Sequence, residues 1–179
     1  ISAGWNVHEE AFFKDSKFAE VVSLIKPRIS YGLNGNVNGI GNFDVYGKYG
    51  SVGAYNGNLG YLNTGVVNSK LRWEKSHTFE LGLDLGFFNN RIHMIMDYYD
   101  RTTSDLLTDV NLPEYTGFPS FKTNLGTISN CGFELEAKVN LLTRKDWSWD
   151  VTANTSFVKN MVKKLPFNGN ANNRQGGEQ

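Results

Sequence analysis

From Phe79 to Phe87 the chain alternates without a break. Phe79, Leu81, Leu83, Leu85 and Phe87 occupy one parity, with Glu80, Gly82, Asp84 and Gly86 between them. A helix, with its period of 3.6, spreads such positions around its axis. A strand turns successive side chains to opposite faces and so gathers all five apolar groups on one surface. Asn89-Asn90 then supplies a turn, because Asn tolerates positive φ and bonds its own backbone. Ile92, Met94, Met96 and Tyr98 resume the alternation against Arg91, His93, Asp97 and Tyr99, with Ile95 breaking the polar parity. The stretch 71–107 therefore predicts a long β-hairpin with one apolar and one wet face.

The same pattern returns downstream. Phe133, Leu135, Ala137, Val139 and Leu141 alternate with Glu134, Glu136, Lys138 and Asn140. After the polar turn Thr143 to Asp146, Trp147, Trp149, Val151, Ala153, Thr155 and Phe157 alternate with small polar residues. Upstream, Ile29, Tyr31 and Leu33 share a parity within 28–34. Phe18, Val21, Val22 and Ile25 stand at helical spacing, which predicts a short surface helix or turn ended by Pro27. Between these segments, 35–70 is rich in Gly, Asn and Tyr and reads as a long loop, with room for a short strand near Val45 to Val52. A second irregular stretch, 108–123, carries Pro113, Gly117 and Pro119, after which Asn124 opens the next strand.

Composition narrows the function classes. Hydrophobic residues make up 40% and aromatics 13%, with 19 glycines, a mixture suited to strands that each have one apolar face. Lys and Arg total 18, as do Asp and Glu, so no basic footprint points to nucleic acid. The single Cys131 forms no internal disulfide, and no nearby cation marks it as reactive. His8, His77 and His93 lack ligand spacing, so neither a metal nor a cofactor is expected. Glu134 and Glu136 share a strand face as a glycosidase pair would, but Lys138 and Asn140 continue them into a plain polar wall. No phosphate loop, nucleophile elbow or triad signature is present, so the chain reads as no enzyme.

No run reaches the roughly 18 apolar residues of a membrane-spanning helix, but a transmembrane strand needs only about 9–11 alternating residues. Two features suit such strands. Short turns at Asn89-Asn90 and Thr143–Asp146 alternate with long connections at 35–70 and 108–123, as short periplasmic turns alternate with long external loops. Phe87, Phe88, Trp147 and Trp149 sit beside the short turns, where an interfacial aromatic girdle would lie. On this reading Phe79, Leu81, Leu83, Leu85, Phe87, Phe133, Leu135, Val139, Leu141, Trp147, Trp149 and Val151 face lipid. A one-residue slip would turn Glu80, Asp84 or Lys138 outward instead. The alternative is a soluble extracellular β-sandwich, a carbohydrate-binding or adhesin module, in which Phe79, Leu83, Phe87, Leu135 and Val151 would be buried.

Three stretches carry a family resemblance. They are Lys70-Leu71-Arg72-Trp73-Glu74-Lys75 leading to Phe79-Glu80-Leu81-Gly82, Asp97-Tyr98-Tyr99-Asp100-Arg101 running to Asp105-Leu106-Leu107, and Asn124-Leu125-Gly126 running to Asn130-Cys131-Gly132-Phe133-Glu134. Together, and with Ser2-Ala3-Gly4-Trp5, Arg28-Ile29-Ser30-Tyr31-Gly32 and Asn160-Met161-Val162, the chain resembles the C-terminal half of the barrel in SusC/RagA-type TonB-dependent outer-membrane transporters. Cys131 stands where a Lys is more usual. The resemblance implies an all-β, antiparallel transmembrane barrel of about 22 strands with a plugged lumen. It implies import of oligosaccharides, peptides or similar nutrients across the outer membrane of Bacteroidetes-type bacteria. It also implies energy from the TonB complex and a SusD-like surface lipoprotein as lid. Residues 1–179 then read as one partial barrel domain, without signal peptide, TonB box, plug or terminal strand. Tyr55, Tyr61, Tyr115 and Phe118 in the two long loops are the candidate contacts to ligand or lid, since flat aromatic rings suit both.

Overall fold

A computed structural model describes residues 1–165. Each alternating run becomes a strand, and five of the ten strands among the described residues are 13 residues or longer: β1 (Ser2–Gly4), β2 (Val22–Asn36), β3 (Tyr49–Tyr55), β4 (Asn58–Asn63), β5 (Glu74–Phe87), β6 (Ile92–Ser104), β7 (Leu107–Asn111), β8 (Ser120–Asn124), β9 (Thr127–Thr143) and β10 (Ser148–Lys164). Six of them form one sheet in the order β1-β2-β5-β6-β9-β10, while β3-β4 and β7-β8 are separate two-stranded sheets. At about 3.3 Å per residue, the 17-residue β9 extends for roughly 55 Å, well beyond the usual 17–20 Å of a globular-protein strand. Among the described residues no apolar side chain is buried; the only buried polar side chains are Thr78 and Ser129. The described residues therefore form no hydrophobic core of the ordinary kind. The chain divides into two compact units.

The first unit comprises Ile1–Leu33, His77–Thr102 and Ser129–Met161. Here β1 pairs antiparallel with β2, Ser2 opposite Ser30 and Gly4 opposite Arg28. Contrary to the sequence reading, Pro27 ends nothing: β2 runs straight through it from Val22. In an antiparallel strand the N–H and C=O of one residue point to the same side. The Pro27 carbonyl accepts from Trp5 N at 3.0 Å, so its missing donor faces the side where β1 has ended, and the ladder to β5 loses nothing. The short helix or turn expected from Phe18 forms only at its start, as a 3-10 turn, before β2 takes over at Val22. Only 3-10 turns at Val7–Glu9 and Lys17–Glu20 and the one-turn helix α1 (Ala11–Lys14) form, and Val22 to Ile25 are strand.

The β5–β6 turn holds Phe88, Asn89 and Asn90 in consecutive left-handed conformations, φ 52, 57 and 61°. The β9–β10 turn is closed by Arg144 N donating to Trp147 O at 2.8 Å. At this same end Phe88 N donates to Val21 O (2.8 Å) and Ser23 Oγ to Asn90 Oδ1 (3.1 Å). The connection 5–21 thus returns beside the short turns, so not every connection there is short.

The second unit comprises Asn34–Ser76, Thr103–Ile128 and the described residues from Val162. The two stretches read as irregular each contain a hairpin. β3 and β4 pair from Tyr49 opposite Asn63 to Tyr55 opposite Asn58, with a bulge between Ser51 and Gly53. Their turn is Asn56-Gly57, both at positive φ (50 and 79°), the combination a tight hairpin turn requires. β7 and β8 pair from Leu107 opposite Asn124 to Asn111 opposite Ser120, around a 3-10 turn at Glu114–Thr116. Asn124 therefore closes β8 rather than opening the next strand.

Candidate functional site

Even-numbered positions of β2 and β5 and odd-numbered positions of β6 build a polar, ion-paired face in the first unit. Arg28 donates from Nε and Nη2 to Asp84 Oδ1 (3.1 and 2.8 Å) and from Nη2 to Asp97 Oδ1 (3.0 Å), tying three strands together. Ser30 Oγ donates to Glu80 Oε2 at 3.0 Å. Gly82 is the seat of this network: a Cβ there would lie 2.6 Å from Asp97 Oδ1 and 2.7 Å from Arg28 Cζ. Gly132 plays a similar part, its bare backbone covered by the Tyr99 ring, whose Cζ and Oη would be 2.7 Å from an added Cβ. A groove of ≈ 610 Å³ is lined by Arg28, Asp97, Tyr99, Arg101, Glu134 and Asn160. Another of ≈ 460 Å³ is lined by Asp97, Glu134, Glu136, Asn154 and Ser156. Glu134 and Glu136 make no ion pair among the described residues, so the wall combines locked and free charges.

The opposite face is apolar and, among the described residues, uncovered. Leu81, Phe133, Leu141, Trp147, Trp149 and Val151 are exposed, and Trp147 keeps 76% of its surface. Phe79, Leu83, Leu85, Phe87, Leu135 and Val139 are half-buried, by their neighbours in the sheet rather than by a second layer. A sandwich would bury Phe79, Leu83, Phe87, Leu135 and Val151, and none is buried.

In the second unit the four loop aromatics are spread out. Tyr55 sits at the β3–β4 tip and Tyr115 at the β7–β8 tip, 87 and 90% exposed. Tyr61 is exposed on β4, and Phe118 is half-buried. No ring contact joins any two of them among the described residues. A cavity of ≈ 260 Å³ lies between the two long connections, lined by Asp44, Lys48, Asn68, Asp109, Ser120 and Lys122 among others. Asp44 Oδ1 is buried without a well-directed hydrogen bond, and its charge is met by Lys48 Nζ at 2.6 Å. Lys48, and then the Gly41 N–H, hold the Asp44 carboxyl below the ordinary range.

Where these connections leave the long strands, Arg72 Nη2 donates to Asp105 Oδ1 at 2.7 Å, and Lys75 Nζ stands 3.9 Å from Asp105 Oδ2. The Arg72 hydrogen bond, aided by the charges of Arg72, Lys75 and Lys164, holds Asp105 below its usual carboxylate range despite partial burial. Sequence reasoning did not single out Asn124, Arg72 or Asp105 as a group, although each lies in a stretch that carries the family resemblance. Among the described residues no group of three His, Cys, Asp or Glu is placed to hold a metal, and Cys131 is a half-buried free thiol.

A one-layer antiparallel sheet, bare and apolar on one face and polar and ion-paired on the other, is the wall of a β-barrel that is not closed within this chain. The chain belongs to the family described as TonB dependent receptor-like, beta-barrel, whose model matches residues 17–178. It is 38% identical over 165 residues to TonB-dependent receptor P3 of Formosa agariphila, which covers 90% of this chain and 16% of that receptor. To TonB-dependent receptor SusC of Bacteroides thetaiotaomicron it is 34% identical over 173 residues, 92% of this chain and 17% of SusC. A chain in the structure of the RagAB peptide importer in its open-open state superposes with a TM-score of 0.82 and 31% identity, over 93% of this chain and 18% of that one. The SusC/RagA resemblance is therefore correct, and the family is one of receptors and transporters rather than enzymes. The chain spans less than a fifth of the length of each of these relatives.

Proposed function

We propose that these residues form part of the wall and external loops of a TonB-dependent nutrient importer in the bacterial outer membrane. The observation that carries this is the apolar face with no protein to cover it. In water such a surface is an aggregation hazard, and in a bilayer it is the required surface. Phe79, Leu81, Leu83, Leu85, Phe87, Phe133, Leu135, Val139, Leu141, Trp147, Trp149 and Val151 face lipid. Arg28, Asp84, Asp97, Glu134 and Glu136 face the lumen. The two long connections leave from strand ends opposite the short turns and so lie outside the cell. There Tyr55, Tyr61, Tyr115 and Phe118 meet ligand or a SusD-like lipoprotein lid. The solute is an oligosaccharide, peptide or comparable nutrient, and the TonB complex supplies energy through other parts of a longer chain.

Fractionation of the source cells tests this, with an antibody raised against 71–165. The expected band is in the outer-membrane pool and several times heavier than 20.1 kDa. A soluble band near 20.1 kDa would refute the reading.

A further inference from the structure

The three stretches that carry the family resemblance are far apart in sequence, yet one residue from each meets at a single point in the second unit. Asn124 Nδ2 donates to the carbonyls of Arg72 (2.6 Å) and Asp105 (2.8 Å), and Asn124 Oδ1 accepts from Arg72 N at 2.8 Å. One carboxamide thus holds both backbone polar groups of Arg72, as a neighbouring strand would, and uses three of its four bonding positions. The Arg72–Asp105 ion pair closes the triangle. Beside it Glu74 accepts from Leu107 N (3.0 Å) at one oxygen and from Asn36 Nδ2 (2.8 Å) at the other. Higher in the loops Asn68 Nδ2 donates to Lys122 O (2.9 Å), and Lys122 Nζ donates to Gly39 O (2.8 Å). Trp73 packs against Gly35, where a Cβ would come within 3.1 Å of its ring.

We infer that Asn124 is a positioning residue that clamps the connections 37–73 and 105–126 into one jointly folded body, so that the aromatics of both loops are presented together. The inference rests on the reading of these loops as the importer's binding surface. Each hairpin alone is too small to be stable in water, since two strands without a packed face are marginal. The β3–β4 pair leaves Tyr49, Val52, Tyr55, Leu59, Tyr61 and Leu62 exposed and has little packing of its own. What fixes it is its root. At that root the bonds of Asn124 and Asp105 to Arg72 and of Leu107 N to Glu74 run between the two connections, so neither loop keeps its place when the other opens. A contact made at Tyr115 is thereby felt at Tyr61. Asp105, held at φ 58° in the left-handed region, is the one strained residue of the clamp, and its ion pair and bonded carbonyl keep it there.

The test uses the purified full-length receptor in detergent, where location in the outer membrane, which fractionation tests, plays no part. Asn124→Ala removes the clamp, and Asn124→Asp keeps the shape and the acceptor but removes both donors. Limited proteolysis with mapped cleavage sites is expected to show faster cutting in both connections, including 49–63, by a similar factor of about five- to tenfold, with the barrel intact. Acceleration confined to 105–126, the loop that carries the substitution, would overturn the inference, as would no acceleration. Hydrogen exchange of the unaltered receptor gives an arm that needs no variant. The amides of Arg72 and Leu107 should be protected and should open together as urea is raised, whereas separate opening would refute the clamp.

Discussion

Replacing Leu83 by Arg asks most directly which solvent the apolar face meets. Leu83 is the centre of Phe79–Phe87, four residues from either end. On the proposed lipid-facing reading, with about 3.3 Å per residue and a strand tilt of about 40°, it would lie about 10 Å inside the apolar band on each side, near the bilayer midplane. An Arg there costs about 2–4 kcal/mol, whereas Phe87→Arg, beside the turn, costs about 0–1 kcal/mol because the charge reaches the headgroups. Glu136→Arg, on the polar face, should cost as little as Phe87→Arg. The assay is urea unfolding of the full-length receptor in lipid vesicles, followed by tryptophan fluorescence. The folded-to-unfolded ratio should fall about 30- to 700-fold for Leu83→Arg and by less than about fivefold for the other two. Equal losses at Leu83 and Phe87 would mean that depth in a membrane is irrelevant and that protein covers this face. A loss at Glu136 as large as at Leu83 would mean that the two faces have been assigned the wrong way round.

Alanine at Tyr55, Tyr61, Tyr115 and Phe118 together should cut nutrient uptake or retention of the lipoprotein lid by about tenfold, with the amount of assembled barrel unchanged; unaltered uptake and lid retention would remove these residues from the binding surface. The Arg72–Asp105 pair has a defined acid limit. Because the folded-state pKa of Asp105 is lowered, its stabilisation is fully present above the ordinary value of 3.8 and is lost as pH falls through the lower folded value. Protease resistance of the two connections should therefore hold from neutrality to about pH 5 and fall below about pH 4, and loss beginning near pH 6 would point to a different group. Gly132→Val would push the Tyr99 ring out of its place and lower barrel stability by about 1–3 kcal/mol, measured as a shift in the urea midpoint. An unshifted midpoint would show that the ring has room to move.

For the long strands β5, β6, β9 and β10, strand identity, sidedness and the two short turns follow from the sequence alone. Side-chain direction in a strand depends only on parity, so Phe79 to Phe87 declares its apolar face wherever the strand is placed. The Asn56-Gly57 turn was also available from turn chemistry, but the strands around it show no alternation, because both of their faces are exposed and neither selects for apolar residues. Pro27 does not end the element it was expected to end, because it sits inside β2, and a strand tolerates a proline where its missing N–H faces no ladder partner. That depends on how far β1 extends, a fact remote in the sequence.

Only the tertiary structure decided partners. Arg28 meets Asp84 and Asp97 at sequence separations of 56 and 69, and Asn124 meets Arg72 at a separation of 52. A period of two encodes which face a residue occupies but not which strand lies beside it. The choice between sandwich and barrel wall was of the same kind. Both require identical alternation along every strand, and they differ only in whether a second layer buries Phe79, Leu83 and Leu135. Among the described residues none does.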